Sequence, residues 1–250
     1  MLNILVIHGY VQSAATVAGN TRPLKDKLSD LATLHYVDGP PMRGNSSSPS
    51  RPWWILGDNL EHNLSASSRW DDTVKWWSEE LSKNQYDGVI GLSQGSAMTA
   101  LLLSMLNHPE KAPGFHAQKT QPIKFAILCS GFVSNREPHG QIYGGLPENI
   151  PTLHTVDDND FVVPAQRTIE LQKLFKNSQL VRHNEGHSIP VRGDWPNTLR
   201  QFIIQAISRE QAHIPSEHQV EGETKQTDTD PPHSPFRNIY HKLTKHFGTS

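Results

Sequence analysis

The chain has 250 residues, a mass of 28.0 kDa and a formal net charge of −2, from 23 Lys and Arg against 25 Asp and Glu. That length suits one or two domains, and the near-neutral balance argues against a basic nucleic-acid binder or an acidic solvating chain. Hydrophobic residues make up 35% of the chain, which is low for a packed enzyme, but residues 209–250 hold only 8 of them.

Cys129 is the one cysteine, so an intrachain disulfide and a cysteine metal cluster are excluded; a reducing compartment fits. Met1 to Ile7 has no positive region before it, and the first Lys or Arg is Arg22, so no signal peptide is expected. The longest apolar run, Met98 to Leu106, is interrupted by Thr99 and Ser104 and falls short of the roughly 18 residues a membrane span needs. These features predict a cytoplasmic protein with nuclear access open to it, no transmembrane segment and no nucleic-acid partner.

In chain order, Leu2 to Ile7 is a short apolar run closed by His8-Gly9, the pattern of a strand buried on both faces. Thr21 to Asp30, with Pro23 in its first turn, predicts a short helix, and Leu31 to Val37 a second strand. Residues 38–60 carry Gly, Pro, Ser and Asn punctuation and read as a long lid or pocket loop. Trp53 and Trp54 near its end either anchor the loop to the core or wall a substrate pocket. Val74, Trp77 and Leu81 give Trp70 to Lys83 a helical period, with Asp71 and Asp72 near its N-terminus.

Tyr86 to Gly95 reads as strand, sharp turn and helix, the helix running from Gln94 to about Leu106. Further strands are expected at Ile123 to Cys129, Pro151 to Val156 and Leu180 to Arg182, and helices at Pro164 to Phe175 and Asp194 to Ser208. Repeated β-α-β order with buried strands implies a mainly parallel six-stranded sheet covered by helices on both faces. Such sheets bind ligands beyond the carboxyl ends of their strands. Residues 1–208 are expected to form this single domain. The polar tail 209–250 reads as largely disordered, with a short amphipathic helix possible at 236–247.

Gly91-Leu92-Ser93-Gln94-Gly95 matches the nucleophile elbow G-x-S-x-G, in which a strand turns directly into a helix and exposes a serine hydroxyl. A serine nucleophile needs a base, and the base an orienting acid, in the order Ser, acid, His for this elbow. Asp160, after the strand at 151–156, is the preferred acid, with Asp157 and Asp158 competing. His187 lies in a loop after the next strand, whereas His183 belongs to the strand itself. Backbone N–H groups of Gln94 and Tyr10 are the expected oxyanion donors, and His8 is expected to bond loop backbone. Phe161 and Ile189, beside the acid and the base, join Trp53 and Trp54 as pocket candidates.

These stretches carry a specific resemblance. Leu5-Val6-Ile7-His8-Gly9-Tyr10-Val11-Gln12-Ser13, the elbow, Asp160-Phe161-Val162-Val163-Pro164 and Gly186-His187-Ser188-Ile189-Pro190 resemble the small intracellular serine hydrolases of fungi and animals, the family that includes the ovarian-tumour-associated serine hydrolase. Tyr36 to Pro40 and Arg51 to Trp54 are similar to the family's loop before its lid. The resemblance covers about residues 1–208 and implies an α/β-hydrolase fold and esterase or thioesterase activity on acyl chains. It also implies no cofactor and no metal, with Ser93, Asp160 and His187 as the triad. The sequence departs from the pattern at Asp157, where related sequences usually have Gly.

The expected function is cleavage of carboxylic esters or thioesters of small to medium acyl chains through an acyl-enzyme. The alternative is a catalytically weak module that binds a small acyl ligand or a protein partner. A nucleotide-binding protein is disfavoured, because His8-Gly9-Tyr10-Val11-Gln12 matches no phosphate-binding glycine motif.

Overall fold

The computed structural model describes residues 1–42, 49–56 and 60–212, all within one compact unit. The tail from residue 213, with the expected helix at 236–247, lies outside the described residues. So do residues 43–48 and 57–59 of the expected lid loop.

Six strands form one sheet, parallel as the β-α-β pattern predicts, in the order β2-β1-β3-β4-β5-β6. The strands are β1 (Leu2–Ile7), β2 (Ala32–Val37), β3 (Gly88–Leu92), β4 (Phe125–Cys129), β5 (Thr152–Asp157) and β6 (Ser178–His183). Every neighbouring pair is parallel, so all six carboxyl ends meet one edge. Strand order reverses between β1 and β3, which opens a crevice beyond their carboxyl ends.

The helices are α1 (Ala14–Asn20), α2 (Arg22–Lys27), α3 (Leu60–Lys83), α4 (Gln94–Asn107), α5 (Glu137–Ile142), α6 (Ala165–Gln172) and α7 (Trp195–Ala212). Alternate residues of the central strands feed two cores. Leu5, Ile7, Val89, Ala126 and Leu128 pack with α3, α4 and the Trp53-Trp54 pair. Ile4, Val6, Ile90, Phe125, Ile127 and Cys129 pack with Val17 of α1, Leu24 of α2, and Leu199, Phe202 and Ile203 of α7. This two-sided burial explains why β1, β3 and β4 read as continuous apolar runs rather than as alternating ones.

Four helices differ from the sequence expectation. Helix α3 begins at Leu60, where the expected loop at 38–60 ends and ten residues before the periodic stretch at Trp70. No Gly or Pro interrupts 60–83, but the Asn and Ser residues of its first turns give only a weak helical signal. Helix α1 is absent from the expectation because part of its cap comes from far along the chain. Ser13 Oγ accepts the Thr16 N–H, and the Asp38 carboxylate accepts the Ala14 N–H at 2.7 Å. Helix α5 contains Pro138 and Gly140, and its six residues carry no periodic pattern. Helix α7 runs four residues past its expected end at Ser208. Among the described residues no helix is long and apolar enough to cross a membrane.

Candidate active site

Ser93 sits between β3 and α4 with φ 57° and ψ −118°, a region that residues other than glycine rarely occupy. Two glycines make the turn possible. A Cβ on Gly91 would lie 2.6 Å from the Gly95 carbonyl oxygen and from Thr99 Oγ1. A Cβ on Gly95 would strike the Ile7 and His8 carbonyl oxygens, so α4 packs directly against the end of β1. The Ser93 N–H donates to the Cys129 carbonyl at 2.8 Å, and the Ser96 hydroxyl donates to the same carbonyl, also at 2.8 Å. These bonds fasten the elbow to the end of β4. Ser130, the next residue, is the one other non-glycine described with positive φ, at 47°.

Asp160 and His187 come from the loops after β5 and β6. His187 Nδ1 lies 2.7 Å from Asp160 Oδ2, and the other Asp160 oxygen accepts the N–H groups of Val162 and Val163 at 2.8 and 2.9 Å. Burial pushes the Asp160 carboxyl up, but the Val163 N–H, His187, the Ser130 hydroxyl and the Val162 N–H outweigh it and hold the group below the usual carboxylate range. An ionised Asp160 accepts the proton on Nδ1 and leaves Nε2 with a free lone pair.

The competing carboxylates have other partners. Asp157 accepts the Asn159 N–H at 2.7 Å and the Gly186 N–H at 2.6 Å, so it ties the acid loop to the His187 loop. These two backbone bonds hold its carboxyl below the ordinary range. Asp158 forms an exposed ion pair with Arg182 at 3.2 Å. The Asp157 tie is a supporting contact that sequence reasoning missed.

The His187 loop is shaped by its own residues. Gly186 takes φ 68°, and Glu185 accepts the N–H groups of Val191 and Arg192 at 3.0 and 2.8 Å. His183 closes β6 with its ring edge-on to Trp195 at 5.8 Å, and its Nδ1 accepts the Glu185 N–H at 3.2 Å.

The loop after β1 lies opposite. A Cβ on Gly9 would lie 3.3 Å from Ser93 Cβ, and the Gly9 N–H donates to Gln12 Oε1 at 2.9 Å. The buried His8 ring accepts the Gly39 N–H on Nε2 at 3.3 Å, so its Nδ1–H is the donor to the Gly9 carbonyl at 2.8 Å. Burial lowers its pKa, and it bonds loop backbone as the sequence suggests. Gln94 is the first residue of α4, where an N–H has no acceptor in its own helix. Its side chain does separate work: Oε1 accepts the Trp53 N–H at 3.0 Å, and Nε2 donates to the Trp54 carbonyl at 2.8 Å.

A cavity of about 290 Å³ joins these parts; its lining includes Ser93, His187, Tyr10 and Phe132. The structure places Trp53 and Trp54 elsewhere. Trp53 is fully buried, stacked on Trp77 at 5.0 Å and on His8 at 5.1 Å, with its indole N–H donating to the His8 carbonyl. Trp54 packs edge-on against His139 and Trp70. Both are core anchors rather than cavity wall, held from α3 by the Arg69 guanidinium on the Pro52 carbonyl and by the Thr73 hydroxyl on the Trp53 carbonyl. Phe161 projects into solvent, 97% exposed, and its neighbours Val162 and Val163 line the cavity in its place. Ile189 is buried and lines a different depression of about 320 Å³ that shares His187. Among the described residues no cluster of His, Cys, Asp or Glu could hold a metal ion. Cys129 is fully buried, and burial pushes its thiol up to about 12.

Comparison with known proteins fits this geometry. The sequence matches the family described as serine hydrolase (FSH1) over residues 1–199. Esterase OVCA2 of Xenopus tropicalis is 29% identical over 229 residues, covering 83% of this chain and 94% of its own length. Esterase C25G4.2 of Caenorhabditis elegans is 28% identical over 222 residues, covering 83% and 95%. A Schizosaccharomyces pombe protein named dihydrofolate reductase is 25% identical over 231 residues, and the match, 86% of this chain, spans about half (49%) of that protein. Among solved structures, esterase PE8 aligns with a TM-score of 0.57 at 19% identity, covering 82% of this chain and 92% of its own. Zea mays acyl-protein thioesterase 2 aligns equally well, with a TM-score of 0.57 at 16% identity, covering 82% and 94%. At such identities the structural likeness is one of fold, the α/β-hydrolase fold. The family match spans most of the chain, from the first strand into α7: the chain belongs to the serine hydrolase (FSH1) family.

Proposed function

We propose that this protein hydrolyses carboxylic esters or thioesters of small to medium acyl chains through a Ser93, His187 and Asp160 triad and an acyl-enzyme. The observation that carries the reading is the 2.7 Å bond from His187 Nδ1 to Asp160, at a cavity that also holds Ser93 on its strained turn. Asp160 fixes the imidazole tautomer, so His187 Nε2 takes the Ser93 hydroxyl proton as Oγ attacks the acyl carbon. The N–H groups of Gln94 and Tyr10 receive the oxyanion, where one such donor contributes roughly 2.7–4 kcal/mol in known cases. His187 then gives the proton to the departing alcohol or thiol, and water clears the acyl-enzyme by the same two steps in reverse roles. No cofactor or metal enters these steps. The names of the matched esterases and the thioesterase fold neighbour support this bond class.

A serine-reactive fluorophosphonate probe tests the reading. Wild type should label at Ser93 and Ser93→Ala should not, while His187→Ala should lose steady turnover of a 4-nitrophenyl ester. Equal labelling of wild type and Ser93→Ala would overturn it. Labelling without turnover would favour a module that binds acyl ligands.

A further inference from the structure

The cavity beside Ser93 has walls of two kinds. Val11, Leu56, Phe132 and Val162 make it largely apolar, and among the described residues no carboxylate lines it. Arg167, from α6, is the cation in that wall. Its guanidinium carbon lies over the Phe132 ring, 4.6 Å from the centroid. Several other arginines are engaged, whereas Arg22, Arg192 and Arg209, like Arg167, show no side-chain hydrogen bond or ion pair among the described residues. Arg69 donates to backbone carbonyls, Arg182 pairs with Asp158, and Arg200 pairs with Asp30. Among the described residues the Arg167 guanidinium has neither a hydrogen-bond acceptor nor a carboxylate partner.

Arg167 is exposed, and a guanidinium with no anion beside it among the described residues, on the wall of a mostly apolar cavity, can receive an anion that arrives with the substrate. A carboxylate can accept two parallel N–H bonds from it, and the bound chain excludes water that would otherwise screen the pair. We propose that Arg167 is a specificity-determining residue that selects substrates bearing an anionic group, a carboxylate on the acyl chain or on the leaving group. The proposal rests on the hydrolase reading of the same cavity. It predicts preference for half-esters over neutral esters of equal length.

Two matched pairs separate the sources. For the acyl side, mono-4-nitrophenyl adipate is compared with 4-nitrophenyl hexanoate. For the leaving group, 3-carboxy-4-nitrophenyl hexanoate is compared with the same hexanoate. Wild type should prefer the anionic member of one pair by about tenfold or more in kcat/KM, chiefly through KM, and less so at high salt. Arg167→Met should erase that preference, read as the ratio of kcat/KM for the two members of the pair within each variant. Arg167→Lys keeps the charge but not the fork, and should keep part of the preference. A wild type that favours the neutral ester in both pairs, or a preference that survives Arg167→Met, overturns the proposal. Failure of wild type to hydrolyse even the neutral hexanoate, together with no fluorophosphonate labelling, overturns the hydrolase reading and this proposal with it.

Discussion

Ser93 holds its conformation against its own side chain. A non-glycine residue at φ 57° and ψ −118° carries about 1–3 kcal/mol of backbone strain, sustained here by the bond to the Cys129 carbonyl and by the docking of α4. Ser93→Gly should therefore unfold at higher urea than Ser93→Ala, by about 1 kcal/mol, with both variants inactive. Equal midpoints would show that the turn is relaxed. Asp157 offers a second residue-scale prediction. Its carboxyl is held below the ordinary carboxylate range, so its contribution is present above that range and is lost as pH falls through the lowered value. Asp157→Asn should be less stable than wild type at pH 7, and urea titrations should show the gap closing as pH falls through the lowered value. Its kcat should fall more than its KM rises, because Asp157 restrains the loop of His187 rather than touching substrate. At this scale the sequence was informative where chemistry demands a fixed order: Ser93, Asp160 and His187 were picked out by lying just past strand ends. The roles of Asp157 and Asp158 could not be separated, because both lie beside Asp160 and only the fold shows which backbone each meets.

At the scale of elements, α4 is the piece on which the rest of the site depends. Gly95 lets it touch the last carbonyls of β1, and a methyl group there has backbone, not a movable side chain, in its way. Gly95→Ala should destabilise the fold by about 3 kcal/mol or more, seen as a lowered thermal midpoint or as insoluble protein. A variant of wild-type stability would mean that the helix can slide outward without loss. Strands β1, β3 and β4 were legible because burial on both faces leaves an uninterrupted apolar run. The short helices α1 and α5 were not. One is capped by Asp38 from across the sheet edge, and the other begins with Pro138 and contains Gly140. The Trp53-Trp54 segment was ambiguous for a different reason. An indole fills a core and a pocket equally well, and the choice was made by Arg69, Thr73 and Gln94, none of which is near it in sequence.

The whole molecule buries histidines that its mechanism does not use. His154 on β5 and His139 on α5 are pressed down to about 3 by burial, and both ring nitrogens of His154 lack a partner among the described residues. The unfolded chain takes up these protons near pH 6.5 and the folded one does not, so stability declines as pH falls from about 6.5 toward 3. At pH 5 each such histidine removes about 2 kcal/mol relative to pH 8. His154→Leu should lose correspondingly less stability than wild type between pH 8 and pH 5 in urea unfolding, and parallel losses would assign the acid sensitivity elsewhere. The parallel sheet was readable because β-α-β alternation constrains strand direction strongly, whereas the cavity wall depended on side-chain directions that no pattern encodes. The Gln94 side chain has one more consequence. The residue whose N–H is proposed to meet the oxyanion also grips Trp53 and Trp54, so the segment at 49–56 and the reacting carbonyl share one mechanical frame. Grafting that segment from a relative would thus register first as slower turnover and only afterwards as a new substrate range, which makes it a poor starting point for engineering selectivity.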